Sequence, residues 1–209
     1  FVFNGAGTIT AFNWEAGREN VVIPWAIGGV PVTAIANSAF EFSSVKSVIA
    51  PKTVAAVGDN AFYECSSLTS VIIPQATSIG NSTFFYCSSL TSVTIPQATS
   101  IGDYAFLYCS SLTSINLPQA TSIGDSAFSS CYLLTAVRMG QNAPAAATSV
   151  FAEITPIPTV YVTDPQATGW GAEWNGAPVV RPPLYADEIW QNGERVPSVA
   201  AIQGIVYSN

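Results

Sequence analysis

Phenylalanine recurs at every twenty-second position through the middle of this 209-residue chain. The series is Phe40, Phe62, Phe84, Phe106 and Phe128, and a second series with the same interval is Cys65, Cys87, Cys109 and Cys131. An internal repeat of roughly 20–29 residues is typical of a solenoid, in which each repeat buries its apolar face against its neighbours. The interval therefore predicts a stack of coils around one elongated core.

A single repeat, Leu90–Leu112, carries the signals of a short strand followed by a turn. Apolar and polar residues alternate over Val93–Ile95, and Pro96 ends the strand because proline has no N–H to donate. Gly102 permits a tight bend, after which Tyr104–Cys109 is predicted to form a helical turn.

An Asn or Asp precedes each predicted helical turn, again at the interval of the repeat. The column is Asn37, Asp59, Asn81, Asp103 and Asp125. Short Asx side chains are preferred helix N-caps, so we interpret the column as a row of caps. A calcium-binding row of oxygens is the alternative, but calcium needs a second row of ligands that this sequence does not supply.

The segments LTSVTIP and SIGDYAFLYCSSL resemble the repeat of the BspA-like bacterial leucine-rich-repeat surface proteins, from about Gly7 to Val162. The resemblance implies a right-handed α/β solenoid with short parallel strands on a concave face and short helical turns on a convex face. It also implies an extracellular or cell-surface protein that binds a host or partner molecule, and it supplies no catalytic residues.

The repeats divide the chain into four predicted regions. They are an N-terminal repeat-capping unit (1–33), the leucine-rich-repeat solenoid (34–163, with its last strand at 160–162), a C-terminal cap (164–181) and a non-repeat tail (182–209). Trp170 and Trp174 are expected to cover the end of the stack, or alternatively to stack on a sugar. The tail has the pattern of a hairpin around Asn192-Gly193. It docks on the solenoid, pairs with another chain through 185–209, or begins a further domain.

The four cysteines are expected to be buried, reduced thiols. Neighbouring coils bring their Cα atoms to ~5 Å, a separation that a disulfide permits. In-register side chains point the same way, however, which opposes the near-perpendicular dihedral angle of the bond.

Two exposed surfaces are candidate binding sites. The predicted concave site comprises Thr94, Asn116 and Arg138, flanked by Thr91, Thr113 and Thr135. A surface of this kind suits a glycan or an extended peptide, although threonine is also simply favoured at exposed strand positions. The secondary candidate is a convex patch of Tyr86, Tyr104 and Tyr108, which fits a binding surface or aromatic packing equally well.

Composition argues against several classes of function. The chain has no histidine, and its 13 carboxylates are scattered, so we expect no enzyme, no metal site and no cofactor. Its net charge of −7 opposes binding to nucleic acid or an anionic membrane. No apolar run approaches the ~20 residues that span a bilayer. Because the chain opens at Phe1 without an initiator Met or a basic segment, we expect a processed or trimmed N-terminus.

The leading hypothesis is a non-catalytic extracellular binding or adhesion protein with a protein or glycan partner. The alternative is a structural or assembly subunit of a fibre, surface layer or virion appendage, with assembly through the tail. A glycan-binding accessory module of an enzyme is a third hypothesis.

Overall fold

The computed structural model describes residues 1–13, 19–164 and 166–181, together with short strands at 190–191 and 194–195. Apart from turns and bends, the described residues form only β-strands. In chain order these are β1 (Val2–Phe3), β2 (Thr8–Ala11), β3 (Asn20–Val22), β4 (Ala26–Ile27), β5 (Val30–Pro31), β6 (Ala34–Ile35), β7 (Ser47–Ile49), β8 (Ala56–Val57), β9 (Ser70–Ile72), β10 (Ser78–Ile79), β11 (Ser92–Thr94), β12 (Ser100–Ile101), β13 (Ser114–Leu117), β14 (Ser122–Ile123), β15 (Ala136–Met139), β16 (Ala145–Ala146), β17 (Thr159–Val162), β18 (Glu173–Trp174), β19 (Ala177–Val180), β20 (Trp190–Gln191) and β21 (Glu194–Arg195).

Successive coils stack through two series of strands. One series forms an eight-stranded sheet in the order β1-β2-β6-β8-β10-β12-β14-β16, parallel except for β1. The longer strands form two parallel ladders, β3-β7-β9-β11 and β13-β15-β17-β19. Val71 pairs with Val93, and Ser78 pairs with Ser100, so the interval of the sequence repeat is the coil step. We call the outward surface of the longer strands, the side predicted to be concave, the strand face.

The last stacked strand is not the one predicted at 160–162. β19 pairs in parallel with β17, through Val160 with Val179, and β18 then pairs antiparallel with β19. The stack therefore continues into residues 173–180, although these residues lack the repeat pattern. This part joins the stack through backbone hydrogen bonds, which do not require particular residue types.

A column of stacked phenylalanine rings occupies the core. From Phe40 to Phe128, consecutive ring centroids lie 4.8–5.3 Å apart, and all five side chains are buried. Phe12 extends the column at one end at 4.9 Å from Phe40, and Phe151 extends it at the other at 6.0 Å from Phe128. Offset stacking and apolar burial at each step stabilise the coils against one another.

The predicted helical turns on the convex side are wrong, because the described residues contain no helix. In the turn after β12, Tyr104 and Tyr108 have positive φ values of 58° and 62°, a conformation that right-handed helices exclude. The N–H of Phe106 donates to the carbonyl of Ala127 in the next coil at 2.8 Å. The N–H of Leu107 instead donates back to Tyr104 at 3.1 Å. Alternate N–H groups thus join coils instead of forming a helix.

The Asx column does not cap helices either. The Oδ1 atom of Asn81 accepts the backbone N–H of Asp103 at 2.9 Å, and Oδ1 of Asp103 accepts that of Asp125 at 2.8 Å. The same bond links Asp59 to Asn81 at 2.7 Å. Each Asx side chain therefore satisfies the N–H of its own counterpart one coil further on. We call this series the Asx ladder.

Close packing, not a bend, explains the glycine that precedes four of the five Asx residues; Asn37 follows Ala36. A Cβ atom added at Gly102 would lie 2.6 Å from the backbone N of Asn81, and one at Gly124 would lie 2.3 Å from Oδ1 of Asp103. Real Cβ contacts are not that short, so only glycine lets the preceding coil approach here.

The four cysteines are buried and unpaired, as predicted. Each thiol donates to the carbonyl of a phenylalanine in the preceding coil; for example, Cys109 Sγ lies 3.1 Å from Phe84 O. Burial raises the pKa of Cys65 to about 11 and that of Cys131 to about 12. The thiols consequently stay protonated at neutral pH and pack as small apolar groups.

Two tryptophans lie over the C-terminal end of the phenylalanine column. The Trp174 ring meets Phe151 edge-on at 5.7 Å, and its Nε1–H donates to the carbonyl of Pro144 at 3.1 Å. Trp170 packs against Trp174 at 6.2 Å. Each of the two side chains is only 8% exposed, which leaves neither ring a face on which a sugar could stack.

Candidate functional site

The strand face presents one outward column of side chains, because alternate residues of a strand point to opposite sides. Strand pairing aligns its members within each ladder. The column consists of Val22, Ile49, Ile72, Thr94, Asn116, Arg138, Tyr161 and Val180. Its predicted members Thr94, Asn116 and Arg138 are all exposed.

The chemical character of the strand face changes along the stack. Val22, Ile49 and Ile72 form an aliphatic row at one end, with 38–68% of each side chain exposed. From Thr94 onward the column is polar as far as Arg138. Polar residues thus begin on β11, the last strand of the first ladder, and continue on β13, the first strand of the second.

The strand ladder is interrupted between β11 and β13. Within the described residues no pairing joins these strands, although both flanking ladders are regular. A cleft of about 110 Å³ lies there, lined by Val93, Thr94, Ile95, Pro96 and Asn116. It brings together the first two residues of the predicted site.

The interruption is confined to the strand face. On the same coil step, Ser100 still pairs with Ser122, and the turns remain bonded from coil to coil. Val93 is half-buried, whereas its counterparts Val71 and Ile115 are buried. These residues are near-identical in type from coil to coil, so the sequence carried no signal of the split.

Two of the three flanking threonines are used by the fold. The Thr91 hydroxyl donates to the carbonyl of Thr69 at 3.1 Å, and the Thr135 hydroxyl donates to that of Thr113 at 3.2 Å. Across the interruption the Thr113 hydroxyl does not make this bond to Thr91, and both residues lie in the described chain. Among these three threonines, Thr113 is therefore the one whose hydroxyl does not donate to the preceding coil.

Arg138 has an aromatic neighbour that sequence reasoning missed. Its Cζ atom lies 5.9 Å from the ring centroid of Tyr161, within cation–π range. Strand pairing aligns the two residues across β15 and β17. Tyr161 lies one position beyond the regular repeat interval from Arg138, so a search tolerant of one insertion would have found it.

On the turn side, exposed and half-buried rings form a second surface, which we call the aromatic strip: Phe42, Tyr63, Phe85, Tyr86 and Tyr108. Tyr63 stacks on Phe85 at 4.8 Å, and Phe42 meets Tyr63 edge-on at 5.7 Å. Tyr86 lies 5.3 Å from Tyr108.

The predicted tyrosine patch is only partly assembled. Tyr86 and Tyr108 are in contact, but Tyr104 has no ring contact with either among the described residues, although it is 44% exposed. The predicted helical turn would have placed Tyr104 and Tyr108 on one face, but the turn does not have helical spacing. Tyr63 and Phe85, and not Tyr104, complete the surface of contacting rings.

The repeated part of the sequence matches a known protein family. Residues 31–162 match the BspA type leucine rich repeat region in six copies. This chain belongs to the BspA-type leucine-rich-repeat family. No curated protein matches the sequence significantly.

Solved structures of bacterial leucine-rich-repeat proteins resemble this chain. A leucine rich cell surface protein from Faecalibacterium prausnitzii A2-165 is 28% identical, with a TM-score of 0.62 over 84% of this chain and 55% of that one. A leucine rich repeat protein of T. pallidum is 26% identical, with a TM-score of 0.57 over 68% of this chain and 73% of that one. A leucine-rich repeat protein from Bacteroides ovatus, at 22% identity and a TM-score of 0.58 over 79% of this chain and 42% of that one, shares the fold. The present chain thus spans about half the length of the F. prausnitzii protein.

Metal-binding side chains do not cluster in the described part of this BspA-type chain. Its cysteines and carboxylates form no group of three that could hold a metal. No membrane-spanning helix is found among the described residues.

Proposed function

We propose that this chain is a non-catalytic extracellular binding or adhesion protein that presents its strand face to a protein or glycan partner. Membership of the BspA-type family supports a surface location, as does similarity to the F. prausnitzii protein described as a cell surface protein. The observation that carries the proposal is the interrupted ladder between β11 and β13, with Thr94 and Asn116 lining the cleft.

The chemistry of the cleft suits a ligand that both donates and accepts hydrogen bonds. Asn116 offers an amide donor and a carbonyl acceptor, and the hydroxyls of Thr94 and Thr113 can do either. The facing edges of β11 and β13 add backbone groups that no ladder between these strands uses. Sugar hydroxyls and peptide groups have this mixed character, which favours a glycan or an extended peptide.

Arg138 and Tyr161 extend the surface beyond the cleft. A guanidinium lying over a ring presents planar N–H donors beside an aromatic face, which suits carboxylate or carbonyl oxygens on a ligand. The Thr91 and Thr135 hydroxyls already donate to carbonyls, so they contribute mainly as acceptors.

The residue inventory supports a non-catalytic role. The chain has no histidine to serve as a general base. Its thiols are buried, and their raised pKa values remove the thiolate that nucleophilic chemistry needs.

Two matched triple variants test the proposal against a glycan array and a library of extended synthetic peptides. Thr94, Asn116 and Arg138 are changed to Ala in one, and Tyr86, Tyr104 and Tyr108 in the other. A ligand of the strand face should bind the first variant at least tenfold more weakly, since lost polar contacts each contribute about 0.5–1.5 kcal/mol. It should bind the second variant normally. The reverse pattern would place the site on the turns.

The alternative function, an assembly subunit, depends on the tail. β20 and β21 pair antiparallel with each other, and the described residues show them in no other sheet. A two-stranded hairpin is marginal alone, so pairing with a second chain would stabilise it. The rest of the predicted tail contact, 185–209, lies outside the described residues. Light scattering distinguishes an assembling subunit from a monomeric binder.

A further inference from the structure

The aromatic strip occupies two adjacent columns of the turn side. The columns are joined from coil to coil by backbone bonds such as Glu64 N–H to Phe85 O at 2.8 Å. The first column is Glu41, Tyr63, Phe85 and Leu107, and the second is Phe42, Glu64, Tyr86 and Tyr108. Each column therefore combines two or more rings with one carboxylate.

The rings of the strip face the solvent. Phe42 is 63% exposed and Tyr86 is 48% exposed, while Tyr63, Phe85 and Tyr108 are half-buried. They contact one another, so they form one continuous surface and not scattered apolar residues. Continuous exposed apolar patches on soluble proteins commonly mark interaction sites.

The fold itself does not require rings at these positions. One coil beyond Leu107 and Tyr108, the same two columns hold Ser129 and Ser130. That coil keeps the same turn hydrogen bonds, including Phe128 N–H to Val150 O at 3.0 Å. The repeat thus provides an internal control, and the aromatic residues contribute a surface beyond what stacking needs.

Every charged residue in the turn segments is acidic. The segments 36–45, 58–67, 80–89, 102–111 and 124–133 contain five carboxylates and no Lys or Arg. Two of these carboxylates lie beside the strip. The pKa of Tyr63 is raised by partial burial, and further by the negative charge of Glu64, a hydrogen bond to it, and the charge of Glu41. A partner that covers these rings must therefore tolerate or neutralise two negative charges.

We propose that the aromatic strip, with Glu41 and Glu64, binds an arginine-bearing extended segment of a protein partner. A guanidinium stacks on Tyr and Phe faces and simultaneously pairs with carboxylates through its planar N–H groups. A sugar could use the rings but would leave both carboxylates uncompensated, and an apolar partner would bury them. The strip lies on a different side of the coil from the strand face, so this interaction is separate from the proposed glycan or peptide site.

Isothermal titration with an octapeptide of alternating Arg and Gly tests the proposal. The comparison peptide carries citrulline, a neutral side chain of the same shape, in place of each Arg. We expect the Arg peptide to bind and the citrulline peptide to bind at least tenfold more weakly. Phe42→Leu and Tyr86→Leu, which keep an apolar side chain but lose the ring, should each weaken binding roughly two- to fivefold. Both residues are exposed, so neither change threatens the fold.

Charge variants distinguish binding at the aromatic strip from general electrostatic attraction of an Arg peptide to an acidic protein. Glu41→Gln with Glu64→Gln should weaken binding by roughly three- to tenfold. Asp164→Asn with Glu173→Gln removes the same charge elsewhere and should leave affinity unchanged. Equal effects of the two pairs, equal binding of both peptides, or full binding by the two Leu variants would each overturn the proposal. Self-association that Phe42→Leu abolishes would also overturn it, because the strip would then bind a second copy of this chain.

Discussion

Oδ1 of Asp103 accepts a hydrogen bond from the backbone N–H of Asp125, its counterpart one coil later, at 2.8 Å. Two residues of the same charge are thus held in register, because the bond joins a carboxylate to a backbone N–H and not to the other carboxylate. The Asx ladder stabilises the coil step, and Asn and Asp serve equally well in it, as both carry Oδ1.

Asp103→Ala should lower the free energy of unfolding by ~1–3 kcal/mol, because the half-buried N–H of Asp125 loses its acceptor. Asp103→Asn keeps Oδ1 and should change the stability by less than ~0.5 kcal/mol. Urea unfolding of both variants measures the difference. Equal stability of the Ala and Asn variants would show that the ladder bond contributes nothing.

Phe106→Ala removes one ring from the middle of the stacked column, where the centroids of Phe84 and Phe128 lie 5.1 and 5.2 Å away. We expect a loss of ~3–5 kcal/mol, since a buried cavity is left between two rings. Phe106→Leu fills most of that space and should cost much less. An unchanged melting temperature for Phe106→Ala would contradict the assigned repeat register.

The buried thiols predict loss of stability at alkaline pH. Below the ordinary thiol pKa of 9.0, folded and unfolded chains both keep the proton of Cys65, so its stabilising effect is complete. Above that pH the unfolded chain ionises, while burial holds the folded thiol protonated up to about pH 11. The free energy of unfolding should therefore fall between pH 9 and 11, by up to ~1.4 kcal/mol per pH unit for each thiol.

Cys65→Ala is the control for that pH dependence, because tyrosines and lysines also titrate in this range. Urea unfolding at pH 8, 9, 10 and 11 should show a shallower decline for the variant than for the parent chain. Identical pH profiles would mean that the Cys65 thiol does not titrate differently in the two states.

Deleting Tyr185–Asn209 should leave the solenoid folded, since β20 and β21 pair only with each other among the described strands.

Trp174→Ala, unlike deletion of the tail, should destabilise the chain by ~3–5 kcal/mol, because it removes the contact with Phe151 and the bond to Pro144. Thermal melting with light scattering measures both variants, and oligomers that depend on the tail should disappear on its deletion. Aggregation of the truncated chain would assign the cap to the tail and not to the tryptophans.

Repeated residues predicted those parts of the fold that depend on side-chain burial. The Phe106 column, the buried Cys109 column and the parallel coil step all follow from apolar residues that recur at the repeat interval, because each must meet its counterpart in the core. The same periodicity did not reveal that Tyr104 and Tyr108 have positive φ values, since Asx and aromatic residues are compatible with a helical turn in a single repeat. The backbone bond from Phe106 to Ala127, which excludes the helix, is visible only when two coils are in place.

The sequence by itself determined the stacked architecture, the family and the polar character of Thr94, Asn116 and Arg138, because these depend on which residue types recur and which do not. Only the tertiary structure decided that the ladder opens between β11 and β13, that the Arg138 guanidinium lies over the Tyr161 ring, and that the rings beside Glu41 and Glu64 contact one another. Each of these is a relation between coils. Small displacements of backbone and side chains between near-identical repeats set such relations, and the order of residues in one repeat does not encode them.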